Sequence, residues 1–403
     1  MTLYLFEDPG AAEFYPLTLT RPLWDLRVGL LTLLEKAQHD LPTGVVAAQG
    51  LASGYLAPLF NQYAPGASAV FLNAAYAHHA STRTAILSQL LPERECVLLD
   101  GEQVVAFATG QPLRLAGRFL TPAALPVGLR PLLFGEDAHK PLSRLWDILA
   151  LLKPAIEADY HTLVRPSTAS LPIADPYTRA YNPAQVFVAP GVRTYAAVLN
   201  AEGGPIYLGP NATVEEGALL RGPCAVLAGA TVSMGAKIRP GTVVGPQCKV
   251  GGEVSNTLFW GQSNKGHDGF VGDSLIGQWC NLGAETTTSN LRNTYAPVRL
   301  YSRVRHHLEP TGQTFLGLVM GDHAKSAIHT TFNTGTVVGV GANVVATGFP
   351  PKQVPDFAWN AEGTERYDFE AFCQTAQRVM ARRDHPFTDA HRALLQHLYQ
   401  HPQ

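Results

Sequence analysis

From Leu208 onward an aliphatic residue recurs at every sixth position: Leu208, Val214, Leu220, Val226, Val232, Ile238, Val244 and Val250. Four residues after each stands a mostly small side chain: Ala212, Ala218, Cys224, Ala230, Ala236, Thr242, Cys248, then Val254. A period of six fits neither a helix nor a continuous strand. It predicts a short strand plus a tight corner, repeated. Three such units close a triangular coil, and coils stack into a parallel β-helix. The aliphatic residue points inward, the small one sits beside the corner, and glycine supplies positive φ at corners. The pattern resumes at Phe270, Ile276 and Leu282, with Ser274, Cys280 and Thr286 as small partners. It returns at Met320, Ser326, Phe332, Val338 and Val344, with Ala324, Thr330, Thr336 and Ala342. Two stretches break it, and both are predicted as loops thrown out from the helix. One is roughly 255–269, holding His267 beside Lys265. The other is roughly 289–315, basic and aromatic. Cys224, Cys248 and Cys280 fall on inward positions and are expected to be core residues.

The first half alternates differently. "TLYLFED", "TGVVAAQ", "SAVFLN" and "ECVLLDGEQVVAFAT" read as strands, with helices at "GLLTLLEKAQHDL" and "STRTAILSQLLP". This predicts an α/β domain with a largely parallel, Rossmann-like sheet. Asp100-Gly101 predicts a hairpin. A helix pair broken at Pro154 is expected next. Two amphipathic helices follow Trp359, the second capped by Thr388; they are expected to cover the open end of the β-helix or to pack on neighbouring subunits. The expected organisation is 1–140 α/β domain, 141–185 helical linker, 186–358 β-helix and 359–403 C-terminal helices.

Composition narrows the function. With 403 residues, net charge −2 and 15% charged residues, there is no basic field for nucleic acid. Glu7 and Asp8 stand where a signal peptide would be basic, and the five cysteines are scattered. A cytoplasmic protein with no membrane span is expected. His267 is the candidate base, because an imidazole suits proton transfer near neutral pH. His323 and His329 are read as exposed.

The hexads, with "KGHDGFVGD", "IGQWCNLGAETTTSN" and "GDHAKSAIHTTFNTGTVVGVGANV", resemble the hexapeptide acyltransferases. Within them the segment resembles the C-terminal domain of the bifunctional enzymes that acetylate glucosamine-1-phosphate and then uridylylate it. That resemblance implies a left-handed β-helix, a homotrimer, and acetyl-CoA or another acyl-CoA as donor. It implies His267 as catalytic base and Arg239 and Asn290 as contacts to a sugar phosphate. The chemistry adds a backbone amide near Gly283 or Ala284, in the acyl-CoA groove, as donor to the oxyanion of acyl transfer, and Lys265 and Lys325 as candidates for the phosphates of the substrate, coenzyme A or a nucleotide. Ser255, Phe270 and "NLRN" depart from the family pattern. The first half resembles sugar nucleotidyltransferases in which "LTRP…LRVG" replaces the glycine-rich loop. There Arg21, Arg27 and Lys36 would contact an NTP, with Mg2+ implied and its ligands left open between Asn73 and Asp100. The resemblance therefore implies a transferase making UDP-N-acetylglucosamine-type sugar nucleotides for the cell envelope. The other reading makes the β-helix a trimerising scaffold for an active or decayed nucleotidyltransferase domain that binds sugar nucleotide.

Overall fold

A computed structural model describes every residue except 62, 64–68, 92–94, 112, 114–116, 136–139, 166–167, 361–364 and 403. The chain divides into two compact units. One holds Met1–Leu145 and Asp389–His397, the other Trp146–Thr388 and Leu398–Gln403.

The first unit is built on a six-stranded sheet: β1 (Thr2–Phe6), β2 (Ala47–Gly50), β3 (Ala69–Asn73), β4 (Cys96–Asp100), β5 (Gln103–Thr109) and β6 (Arg130–Leu133), in the order β2-β1-β3-β5-β4-β6. Leu3–Phe6 and all of β3 are buried, as central strands covered on both faces require. Helices α1 (Leu33–His39), α2 (Ala57–Phe60) and α3 (Ala80–Leu90) accompany the sheet. Thr32 and Glu35 close a capping box that starts α1. The sheet is largely parallel, as expected, and mixed only through β5. β5 runs antiparallel to both β3 and β4, because the tight turn at Gly101 reverses the chain.

In the second unit, α4 (Leu145–Leu163) is one continuous helix through Pro154, not a broken pair. Proline removes one hydrogen-bond donor there without ending the helix. Strands from Arg179–Tyr181 onward then wind a left-handed parallel β-helix with three faces. The first face contains Leu219–Arg221, Lys237–Ile238, Glu253–Ser255 and Phe270–Gly272. The second runs from Val186–Val188 to Gln353–Val354, and the third from Arg193–Thr194 to Asn343–Val344. The inward aliphatics from Leu208 to Val250 are all 0–1% exposed. Each buried valine or leucine contributes about 1.5–3 kcal/mol relative to an exposed one. Cys224, Cys248 and Cys280 are buried and free, and burial pushes the Cys224 thiol up to about 12.

The first break in the hexads is not a loop. Val214 pairs with Val232 and Val232 with Val250, each a step of 18 residues, but Val250 pairs with Lys265, a step of 15. The corners shed residues while the coils continue. The inward positions become Val254, Phe259, Lys265 and Val271, and Phe270 turns partly outward. Only residues 266–269 form the corner at His267. The second break is a true insertion, carrying the antiparallel hairpin Arg299–Ser302/His307–Pro310.

Helices α5 (Phe369–Ala381) and α6 (Asp389–Gln400) end the chain. Instead of capping the open end, α5 lies along the third face. Phe372 packs edge-on to His323 and Phe357, while Arg383 donates to Asn264 Oδ1 at 2.8 Å, coils further down. Its apolar stripe of Phe372, Cys373, Ala376 and Met380 is buried.

Candidate active site

Each passage from the third face to the first makes one corner per coil, and these corners stack into a prism edge. On that edge lie Met234, His267, Ala284 and Ile328. The Glu285 amide donates to the Asp268 carbonyl at 3.1 Å, which sets Ala284 directly over His267. Coils are about 4.8 Å apart. His267 is exposed and its imidazole makes no hydrogen bond among the described residues. The Ala284 amide likewise has no partner among them, although its carbonyl accepts from His329 at 2.8 Å. The neighbouring Gly283 amide donates to the Ser326 carbonyl at 3.1 Å, so of the two predicted amides only that of Ala284 is uncommitted.

Lys265 is not at the surface. It occupies an inward position of the prism and is 1% exposed. Its ammonium donates to the carbonyls of His267 at 2.5 Å and Asp268 at 2.9 Å. Burial lowers its pKa to about 8, opposed by Asp268 and Glu285. It braces the corner from inside, and an inward side chain cannot reach a sugar phosphate outside.

The other predicted residues scatter. Arg239 is exposed on the first face and paired with Glu253 Oε1 at 2.9 Å. Asn290 follows the strand Thr287–Thr288, coils away from Arg239, and donates to Asp273 Oδ2 at 2.6 Å, while Asn256 donates to Asp273 Oδ1 at 2.8 Å. This ladder of corner side chains ties successive coils. Lys325 projects from the third face beside a cavity of about 280 Å3 that Arg382 and Arg383 also line. Its ammonium donates to the His323 carbonyl at 3.0 Å, and burial lowers its pKa. It is not on the His267 edge. His323 is buried against Trp279 and Phe372, not exposed.

In the first unit, ligands of open α/β sheets are expected at the carboxyl ends of strands where the strand order reverses. Here that point lies between β1 and β3, where Phe6 pairs with Asn73. Asp8 follows β1. Its Oδ2 accepts from Asn73 Nδ2 at 2.9 Å and Gln103 Nε2 at 2.8 Å, and its Oδ1 from the Gly10 amide at 2.9 Å. Asp100 accepts from Tyr76 at 3.1 Å. Beside them Glu7 is buried against Arg118 at 3.1 Å, which also donates to Tyr55 at 2.8 Å. Burial pushes the Glu7 carboxyl up, and the Arg118 charge works against that shift. Arg21, Arg27 and Lys36 are all buried. Arg21 pairs with Asp25 at 3.2 Å and Arg27 with Glu35 at 3.5 Å, so the basic residues expected to replace the glycine loop serve the interior. No group of three or more His, Cys, Asp or Glu among the described residues could hold a metal. The Asp8 carboxylate is engaged by these amides and Asp100 by the Tyr76 hydroxyl; Mg2+ on a nucleotide needs only one or two carboxylates beside the phosphates. No described helix is long and apolar enough to cross a membrane. Sequence reading missed the Asp8–Asn73 pair and Arg118, because only the sheet brings these residues together.

Residues 3–168 match a family described as sugar nucleotidyl transferase. Among curated relatives, a bifunctional protein GlmU of Methanocaldococcus jannaschii is 37% identical over 106 residues, covering 26% of this chain and 25% of that protein. GlmU of Prochlorococcus marinus is 28% identical over 162 residues, 38% of this chain and 32% of its own. The uncharacterized acetyltransferase YaiX of Escherichia coli is 27% identical over 143 residues, 35% and 61% respectively. The matches span from about a quarter to three fifths of these relatives.

Proposed function

Given a domain of the sugar nucleotidyl transferase type joined to a GlmU-like β-helix, we propose that the chain is a transferase of sugar-nucleotide synthesis. Its β-helix moves an acyl group from acyl-CoA to the amine of an amino-sugar phosphate. The observation that carries this reading is the stacking of an unpartnered imidazole, His267, under an unpartnered amide, Ala284, on one exposed edge.

The chemistry then follows from the residues. The substrate amine attacks the thioester carbonyl, and the neutral His267 imidazole takes the amine proton. The carbonyl oxygen gains the negative charge and is held by the Ala284 N–H. Collapse breaks the C–S bond, and the departing thiolate takes the proton back from His267. Lys265 keeps the corner in place through the two carbonyls.

A homotrimer is part of the proposal. Met234 and Ile328 on the His267 edge are 70% and 67% exposed, which favours a subunit contact there. For the first unit, the family match over 3–168 supports nucleotidyl transfer from an NTP. The buried Arg21, Arg27 and Lys36 and the closed Asp8–Asn73–Gln103 network favour binding of a sugar nucleotide without turnover. A cytoplasmic location and a cell-envelope role fit the same reading.

The test follows thiol release from acetyl-CoA with a panel of amino-sugar phosphates, beside His267→Ala. Acceptor-dependent release that falls at least about 100-fold in the variant is expected. Release without acceptor, or a variant equal to wild type, removes the acyltransferase and leaves the scaffold reading.

A further inference from the structure

A cavity of about 430 Å3 opens where the 289–315 insertion meets the last coils. This is within the range of small-molecule sites. Its lining gathers Arg292, Arg299 and Lys352 with Ser289, Asn333 and Thr334, and has no Asp or Glu among the described residues. Arg292 donates to the Pro297 carbonyl at 3.1 Å and Arg299 to the Leu308 carbonyl at 2.7 Å. Lys352 donates to the carbonyl of Thr334 and, at 3.1 Å, to its hydroxyl. Carbonyls orient these cations but do not neutralise them, and most guanidinium N–H groups remain free. Burial lowers the Lys352 pKa, and the Arg292 charge adds to that effect, so the like charges sit close enough to interact. Three other arginines of this unit are paired with acids: Arg239 with Glu253, Arg303 with Asp356 and Arg305 with Glu309. A cluster of like charges destabilises the free protein, and a bound oxyanion reverses that cost. The exposed ring of Phe349 also lines the cavity. Such a ring offers a nucleobase a stacking surface.

We propose that this pocket binds the phosphates of a nucleotide-bearing ligand, with Phe349 against the base. Its position limits which ligand. The strand Thr287–Thr288 leads from the Ala284 corner to Ser289, a span of roughly 15 Å at strand rise. Within one chain, a single sugar ring does not bridge from an amine at His267 to this pocket, so an acceptor seated on that chain's own edge does not bring its phosphate here. The remaining sources are a coenzyme A with its long arm and a nucleoside-diphosphate sugar. The inference goes beyond the acyl-transfer reading and stands on binding alone.

Calorimetry on the full chain would use pyrophosphate, coenzyme A, 3′-dephospho-coenzyme A and UDP-N-acetylglucosamine. It would compare wild type with Arg292→Gln/Arg299→Gln, Lys352→Met and, as control, the exposed Lys153→Gln. At least one nucleotide ligand is expected to bind tenfold or more weakly to the double variant and unchanged to the control. A loss confined to the coenzymes identifies that source, and one confined to the UDP-sugar identifies the other. If the double variant does not fold by circular dichroism, Lys352→Met carries the comparison. No nucleotide binding at millimolar concentration, variants equal to wild type, or an equal loss in the control overturns the proposal. Variant-sensitive binding without any acyl transfer keeps this pocket and removes only the acyltransferase.

Discussion

The ammonium of Lys265 lies 2.5 Å from the carbonyl oxygen of His267, and the two residues face opposite ways. Lys265 points into the prism, at the position Val250 fills one coil below, while His267 is exposed at the corner. The cation holds the backbone that presents the imidazole. Lys265→Met should therefore keep the fold, since a buried charge replaced by an apolar chain of similar size is often neutral or stabilising. Melting within a few degrees of wild type is expected, with acetyl transfer reduced roughly tenfold or more through misplacement of His267. Unchanged activity in a folded Lys265→Met protein would remove the bracing role.

The same lysine predicts a pH dependence. Its pKa is lowered to about 8 from a reference of 10.5. Between these values the unfolded chain binds more protons than the native one, so stability rises with pH. Below about 8 both states hold the proton and the slope vanishes. Denaturant titrations of wild type and Lys265→Met from pH 7 to 10.5 should show the wild type gaining on the variant only above about 8. A constant difference would contradict the assignment.

The uncommitted Ala284 amide gives a backbone test. Ala284→Pro deletes that N–H and should lower kcat by about 100-fold or more, with little change in KM. Ala284→Gly keeps the N–H and should retain activity, which separates the amide from the side chain. Equal rates in both variants would rule out the amide as the oxyanion donor.

Arg303 and Asp356 form a buried pair that pins the hairpin of the insertion to the last coil, and Asp356 also accepts from the Val340 amide at 2.7 Å. Removing only the arginine leaves a buried carboxylate unpaired. Arg303→Met should cost about 3–5 kcal/mol, read by chemical denaturation, and Arg303→Met/Asp356→Asn should recover part of that loss.

Glu7 and Arg118 make the matching test in the first unit. The Glu7 carboxyl is already shifted up by burial, so its folded state favours the proton and gains stability as pH falls. Arg118→Met removes the opposing charge. The variant's deficit against wild type should be large at pH 7 and should shrink toward pH 5. A deficit independent of pH would mean that Arg118 acts through packing on Tyr15 and Tyr55 alone.

The β-helix was legible because its order is one-dimensional. A side chain at one position meets the same neighbours one coil away, so the aliphatic at Val232 predicts those at Val214 and Val250. The insertion after Thr288 could be read for the same reason. The mistaken loop at 255–269 has a physical cause. Shortened corners shift the hexad, and a lysine stands where an aliphatic belongs, so the linear pattern looks broken while the pairing continues.

Sequence by itself determined the repeat, the α/β alternation ahead of it and the buried cysteines. Tertiary structure alone decided that Lys265 turns inward, because its charge is tolerable there only where two corner carbonyls converge on it. It also decided that Arg21 and Arg27 pair inside the first unit, and that Arg292, Arg299 and Lys352 gather around a cavity with no acid among its described lining residues. Charge pairing depends on distance in space, which chain order does not specify across a fold.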